Sequence, residues 1–242
     1  MKHLLILCFL IHFLSGQRIE NIKNSPTSTL SRAANKKTNL RDKVITFNKK
    51  WIENINLLLP CDGIPIPKRT MRLPNAPRDY RSGTHRGIDF FANWGTPVKS
   101  VADGIVLRAD HNFQEVPPDF REDLLKKSAK VGSTPSDIFN NILLGRAVFI
   151  DHGFDLVNDF RVITIYAHLA SIEDEIKPGF ILKQGDLIGQ SGNSGMREST
   201  LGSRKGSHLH WEMIFQKNEN EIFLGQDMPN PELYEMLINI FQ

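Results

Sequence analysis

Cysteine is almost absent from this chain of 242 residues: Cys8 and Cys61 are its only two. Cys8 lies inside the apolar stretch at the start, so a chain trimmed beyond it keeps Cys61 alone and forms no internal disulfide. A single thiol of that kind reads as buried and inert rather than as half of an intermolecular bridge. Long apolar runs are missing too. The one that stands out, Leu4 to Leu14, follows Lys2 and precedes Ser15-Gly16. It falls well short of the ~20 residues that cross a bilayer and has no stop-transfer partner. Residues 1–16 therefore read as a secretory signal that is removed, with a membrane-retained anchor as the alternative. Cys8, inside the run rather than at its end, argues against lipid attachment there. There is no internal repeat and no low-complexity block, and about 40% hydrophobic content suffices for one good core.

Net charge is only +3, and it is unevenly spread. Nine Lys/Arg stand against Glu20 and Asp42 between Gln17 and Lys50, which leaves −5 for residues 51–242. That basic stretch is rich in Asn, Ser and Thr and poor in apolar residues. A disordered lead-in is expected over residues 17–54. It suits contact with an anionic envelope polymer or membrane surface, or it is a solvated spacer. No nucleic-acid partner is expected.

After a short helix expected around Phe47 to Leu59, the pattern turns to strands. Gly87–Ala92, Val98–Ala102, Ile105–Ala109, Ala147–Asp151, Val162–Tyr166, Phe180–Leu182, Leu187–Ile188 and Leu209–Phe215 are short β runs punctuated by Gly and Pro. Asp103-Gly104 marks a tight turn between two of them. The fold class is mainly β. Residues 111–145 interrupt it with two helix starts. Asp119 is an N-cap candidate after Pro117-Pro118, and Thr134-Pro135 offers a cap followed by proline at the first helical position. Residues 217–242 are expected to form a tail whose Pro231–Asn239 segment is an amphipathic helix.

Histidine is where the chemistry concentrates. His85-Arg-Gly-Ile-Asp89, His168 in Tyr166-Ala-His168-Leu169, and His208-Leu-His210-Trp-Glu212 are three separate segments carrying imidazoles and carboxylates. These are the ligand types that a catalytic zinc takes, usually three from protein with water in the fourth place. Residues two apart on a strand share a face, so His208, His210 and Glu212 point one way and Leu209 and Trp211 towards a core. The same alternation groups His168 with Tyr166 and Thr164, against Ile163, Ile165 and Ala167. His85 and Asp89 fit a loop running into a strand, with Gly87 permitting close backbone approach. Glu212 is expected to support the site rather than bind metal. His111 and His152 read as a loop residue and a turn residue without a site role.

These motifs, with Gly95-Thr-Pro-Val98, Ala102-Asp-Gly-Ile-Val106, Ile150-Asp-His-Gly153 and Gly185-Asp-Leu-Ile-Gly189, resemble lysostaphin-type zinc metallopeptidases, the peptidoglycan endopeptidases. The resemblance covers roughly Gly83 to Phe215. It implies an antiparallel β-sheet or sandwich domain, here residues 55–216, with a groove over a zinc ion. It implies His85, Asp89 and His210 as zinc ligands and His168 and His208 as catalytic histidines. No His-Glu-x-x-His helix is present to offer a glutamate base, so proton handling and oxyanion stabilisation fall to His168 and His208, in an order left open. The substrate implied is a peptide of bacterial peptidoglycan, and the location is periplasm, cell envelope or exterior. Two alternatives stand beside it: a catalytically silent wall-binding module that activates another hydrolase, and a peptidase held latent by its N-terminal segment. A third is a zinc peptidase of another kind, acting on small D-amino-acid dipeptides. The chain departs from the family pattern at the 111–145 insertion and in a long stretch before His208, about 195–207. Both are expected to border the groove.

Overall fold

Antiparallel pairing organises the chain from Pro77 onward. In the computed structural model, which describes residues 45–241, the elements in order are β1 (Pro77–Arg78), β2 (Gly83–Thr84), β3 (Ile88–Phe90), β4 (Pro97–Lys99), β5 (Gly104–Ala109), α1 (Pro118–Val131), α2 (Ser136–Ile138), β6 (Val148–Asp151), β7 (Arg161–Ala167), β8 (Leu169–Ile172), β9 (Ile181–Leu182), β10 (Leu187–Ser191), α3 (Arg197–Thr200), β11 (Leu209–Lys217), β12 (Asn220–Phe223) and α4 (Glu232–Ile240). The main sheet runs β12-β11-β7-β6-β5-β9, with β3 paired to the free edge of β11 ahead of β12. A second sheet, β4-β10-β8, packs against it, and β1-β2 is a small hairpin. The mainly β, antiparallel expectation holds, and the helices lie where the sequence interrupts the strands. The expected signal segment, and the basic stretch up to residue 44, lie outside the described residues. No helix among the described residues is long and apolar enough to cross a membrane.

Strand alternation sorts the core. Trp211, Tyr166, Val162, Met213 and Phe215 from the main sheet meet Val98, Leu169, Ile172 and Ile188 from the smaller one in a single apolar layer. The other face of the main sheet carries Ile163, Ile165, Ala167 and Ile214, covered by Leu144 and Ala147 as the chain returns from the insertion. Cys61 is fully buried, and burial together with the nearby Asp62 charge pushes its thiol pKa to about 12.

Several boundaries differ from expectation, each for a tertiary reason. Only one 3-10 turn, Lys49–Ile52, forms in the 47–59 segment, because Leu57 bridges Phe241 and the Leu58 amide donates to the Val101 carbonyl. Phe47 and Trp51 stack against Phe160 and Phe215, so residues 45–54 are folded onto the core rather than part of a loose lead-in. At the other end, β12 and α4 place Ile222, Leu224, Leu233 and Leu237 in the same core. Residues 217–241 are thus built into the domain instead of trailing from it.

In α1 the cap is Pro117, with Pro118 opening the helix and Asp119 an acid in its first turn. Thr134 does not cap α2: its hydroxyl donates to the Arg81 carbonyl at 2.7 Å, and Pro135 takes the cap position. The two helices do sit inside the β5–β6 hairpin, as the sequence suggests.

Candidate metal centre

Register brings the two halves of the site together. In the antiparallel ladder His210 of β11 lies opposite Asp89 of β3 on one side and Ala167 of β7 on the other. Side chains directly opposite share a face, so the Asp89 carboxylate meets the His210 ring. His85 arrives from the loop before β3, fixed by its own amide to Ala76 and by the Asn75 amide on its carbonyl. Gly87, between His85 and Asp89, passes so close to β11 that a Cβ there would collide with the Trp211 carbonyl and stand 2.9 Å from Glu212 Cγ and 3.0 Å from His210 Cε1. The close approach expected of this glycine is therefore real.

Three donor atoms converge: His85 Nε2 and Asp89 Oδ1 at 2.9 Å, His210 Nδ1 and Asp89 Oδ1 at 2.8 Å, and His85 Nε2 and His210 Nδ1 at 3.0 Å. All three side chains are buried. Each imidazole is oriented by its other nitrogen. His85 Nδ1 donates to the Leu73 carbonyl at 2.9 Å, which leaves Nε2 as the free lone pair. His210 Nε2 donates to Glu212 Oε1 at 2.8 Å, which leaves Nδ1. Glu212 is completely buried and balanced by Arg86, whose Nη2 lies 2.9 Å from Oε2. Arg78 approaches Asp89 Oδ2 at 3.4 Å, on the oxygen that does not face the imidazoles. Buried imidazole and carboxylate with bare lone pairs and bonded outer partners are the arrangement that metal ligands show.

Electrostatics agree with that geometry. Burial works against charge on Asp89, yet in the metal-free site the imidazoles around it, His85 first and then His208 and His210, hold its carboxyl well below the usual range when they carry protons towards it. His85 is pushed the other way, towards neutrality, chiefly by burial. Burial also opposes charge on His210, but its bonds to Asp89 and Glu212 win and raise its pKa to about 9. A cation at Nδ1 would replace the proton that this ring otherwise holds.

His168 and His208 stand beside the trio, their ring centroids 5.0 Å apart, with His168 5.7 Å from His210. His168 Nδ1 donates to the Ser194 carbonyl at 2.8 Å and His208 Nδ1 to the Gly206 carbonyl at 2.7 Å, so both turn Nε2 to the site. Burial, reinforced by His208 and His210, holds the His168 pKa well below its ordinary value. The route by which His168 gets there corrects the strand-face expectation. Tyr166 and Thr164 belong to the core side with Trp211, and the face carrying His210 and Glu212 is that of Ile165 and Ala167. His168 reaches the site because its backbone is left-handed, with φ of 60°, which ends the alternation of β7.

The site floors a groove of about 570 Å³. One wall comes from α1 and the return segment with Phe139 and Leu144, and another from Met196–Glu198 of the long loop, so both departures from the family pattern border it. His111 and His152 stay outside: His111 Nε2 donates to the Ile176 carbonyl, and His152 bridges the Asp103 carbonyl and Thr164 Oγ1. Sequence reasoning named His85, Asp89, His168, His208, His210 and the supporting Glu212, and the structure brings all six together. It missed Arg78, Arg86 and the three orienting carbonyls. Arg86 had a signal, since it lies inside the His85–Asp89 motif. The carbonyls had none, because every residue carries one.

The model of Peptidase family M23 matches residues 128–222, a span that holds His168, His208 and His210 but not His85 and Asp89. An uncharacterized metalloprotease of Buchnera aphidicola subsp. Baizongia pistaciae (strain Bp) is 30% identical over 141 residues, which are 58% of this chain and 26% of the relative. The chain therefore spans about a quarter of the length of that curated relative. Among solved structures it is similar to a zinc-containing peptidase from Vibrio cholerae (21% identity, 71% of this chain and 37% of that one, TM-score 0.34). It is also similar to the catalytic domain of the antimicrobial peptidase lysostaphin from Staphylococcus simulans (20% identity, 69% and 86% covered, TM-score 0.34). Residues 128–222 are thus similar to Peptidase family M23, and the motifs that resemble it extend on both sides of His168.

Proposed function

We propose that this chain is a zinc-dependent endopeptidase that hydrolyses peptide cross-links of bacterial peptidoglycan. The observation that carries the reading is the convergence of His85 Nε2, Asp89 Oδ1 and His210 Nδ1 within 3.0 Å of one another. Each atom faces the site with its partner atom already bonded elsewhere, and His210 Nδ1 would yield its proton to the metal. Two imidazoles and one carboxylate on one side of an open groove match the donor set of a zinc with a free position. Bound there, zinc would supply Lewis acidity and lower the pKa of a water molecule towards neutrality.

The chain's own residues do the rest. Asp89 brings one negative charge, with Arg78 on its outer oxygen favouring attachment through Oδ1 alone. His168, neutral and with Nε2 bare, is the proton acceptor. His208, held by Gly206 at Nδ1, faces the site through Nε2 and can donate to a developing oxyanion when protonated. The groove admits an extended peptide across these two rings. Export under the Met1–Gly16 leader, and envelope contact through the basic stretch that follows, belong to the same reading.

Mass spectrometry of purified peptidoglycan after incubation with the protein, with and without chelator, tests it. Chelator-sensitive release of uncross-linked peptides is the expected result and would identify the bond cut. No release by zinc-loaded protein, tested also without residues 1–44, would overturn the reading in favour of a wall-binding activator.

A further inference from the structure

The helical insertion and the long loop hold one another's backbone across the groove. Glu115 Oε1 accepts from the Gly195 amide at 2.9 Å and from Ser199 Oγ at 2.6 Å. Arg121 Nε donates to the Gly195 carbonyl at 2.9 Å. Gly195 itself, with φ of +75°, is pressed so tightly on the Ile142 carbonyl and Gly145 that a Cβ would not fit. The neighbouring Ser194 carbonyl is the one that holds His168. This wall is therefore a fixed part of the site and not a loose flap.

The charge of the wall is one-sided. Arg78, Arg81, Arg121, Lys126 and Arg197 line the groove, against Glu122 and Glu198 beyond the metal-site aspartate. Arg197 is taken by Glu122 at 3.1 Å, and Arg78 has the 3.4 Å contact with Asp89 as its one ion pair among the described residues, its other bonds going to the Pro77 and Met71 carbonyls. Arg81, Arg121 and Lys126 form no ion pair among the described residues. Arg81 is only 7% exposed and is held by Thr134 Oγ1 and the Thr84 carbonyl, neither of which carries charge. Burial lowers the pKa of both Arg81 and Arg121, outweighing the opposing pull of Tyr80 on each and of Glu115, Glu198 and Glu122 on Arg121. Glu115, Glu122 and Glu198 lie near Arg121 but none comes within ion-pair distance. Leaving guanidinium charge half-buried and unpaired is costly unless a ligand supplies the anion.

We propose that this wall is an anion subsite centred on Arg121, which takes a carboxylate carried by the peptide substrate beside the bond that is cut. The proposal rests on the peptidase reading and narrows its substrate class to anionic peptides. Arg121 spends Nε on Gly195, so its position is set while both Nη groups remain for a planar, bidentate partner. A carboxylate matches that fork, and an amide in its place offers one acceptor oxygen and no charge. Lys126, on the exposed side of the same helix, adds attraction without geometry.

Equilibrium binding to the full zinc-loaded protein tests the proposal without requiring cleavage. The probes are a linear wall stem peptide with free carboxylates and the same peptide amidated at each of them. Wild-type protein is expected to bind the free carboxylate form about tenfold tighter or more. Arg121→Gln, which keeps an N–H for Gly195, is expected to erase that preference, and Lys126→Gln to reduce it less. Any attraction of carboxylate to zinc is common to all three proteins and cancels. Equal binding of the two peptides by wild type, or an undiminished preference in Arg121→Gln, overturns the subsite. Either result leaves the peptidase reading to the chelator-controlled digestion, where it stands or falls by itself.

Discussion

Glu212 accepts the Nε2–H of His210 at 2.8 Å from a position with no exposure to water, two residues along the same strand. The pair decides which nitrogen of the ring faces the site. Glu212→Gln keeps an acceptor oxygen but loses the charge that balances Arg86. Its zinc affinity, measured by chelator competition, is expected to fall ~10- to 100-fold. Glu212→Ala is expected to destabilise the fold as well, since it leaves Arg86 facing a void without a partner.

His210 in β11 and His208 just ahead of it are expected to differ in role. His210→Ala is expected to lose both bound zinc and activity. His208→Ala is expected to keep zinc and lose roughly 100- to 1,000-fold in rate. Metal analysis of the two purified variants beside peptidoglycan digestion separates these outcomes, and zinc retained at full occupancy by His210→Ala would sink the ligand assignment.

Gly87 is the point where the His85–Asp89 segment touches β11. Gly87→Ala would drive a methyl group into the Trp211 carbonyl, so β3 and β11 must part and the three donor atoms with them. A lower Tm together with weakened zinc binding is the expected result. Unchanged values of both would show that the approach is looser than the geometry describes.

Cys61 gives a pH signature. Its folded pKa of about 12 lies above the ordinary 9.0, so the folded state favours the uncharged thiol. That contribution to stability is complete below pH 9 and is lost as pH climbs through the folded value near 12. At pH 8 a thiol reagent is expected to leave Cys61 of the native protein, lacking residues 1–16, untouched and to react with it fully once the protein is unfolded. Rapid labelling of native protein would contradict the burial.

What the sequence determined by itself follows from the backbone. A strand repeats every two residues, so the spacing in His208-Leu-His210-Trp-Glu212 was enough to set His210 and Glu212 on one face and Trp211 in the core. The His85–Asp89 interval with its glycine, the β runs, the insertion and the C-terminal helix were legible on the same local grounds. Tertiary structure alone decided the rest. His168 reaches the site through a single left-handed residue that breaks the alternation by which its face was judged. The imidazole tautomers depend on Leu73, Ser194 and Gly206 carbonyls, which carry no side-chain signature. The packing of residues 45–54 and the pairing of β12 needed partners more than 100 residues away or a register that no local pattern states. The cationic wall is of this kind too. Arg78, Arg81, Arg121 and Lys126 are ordinary surface residues in sequence, and only the fold of the insertion against Gly195 turns them towards one groove.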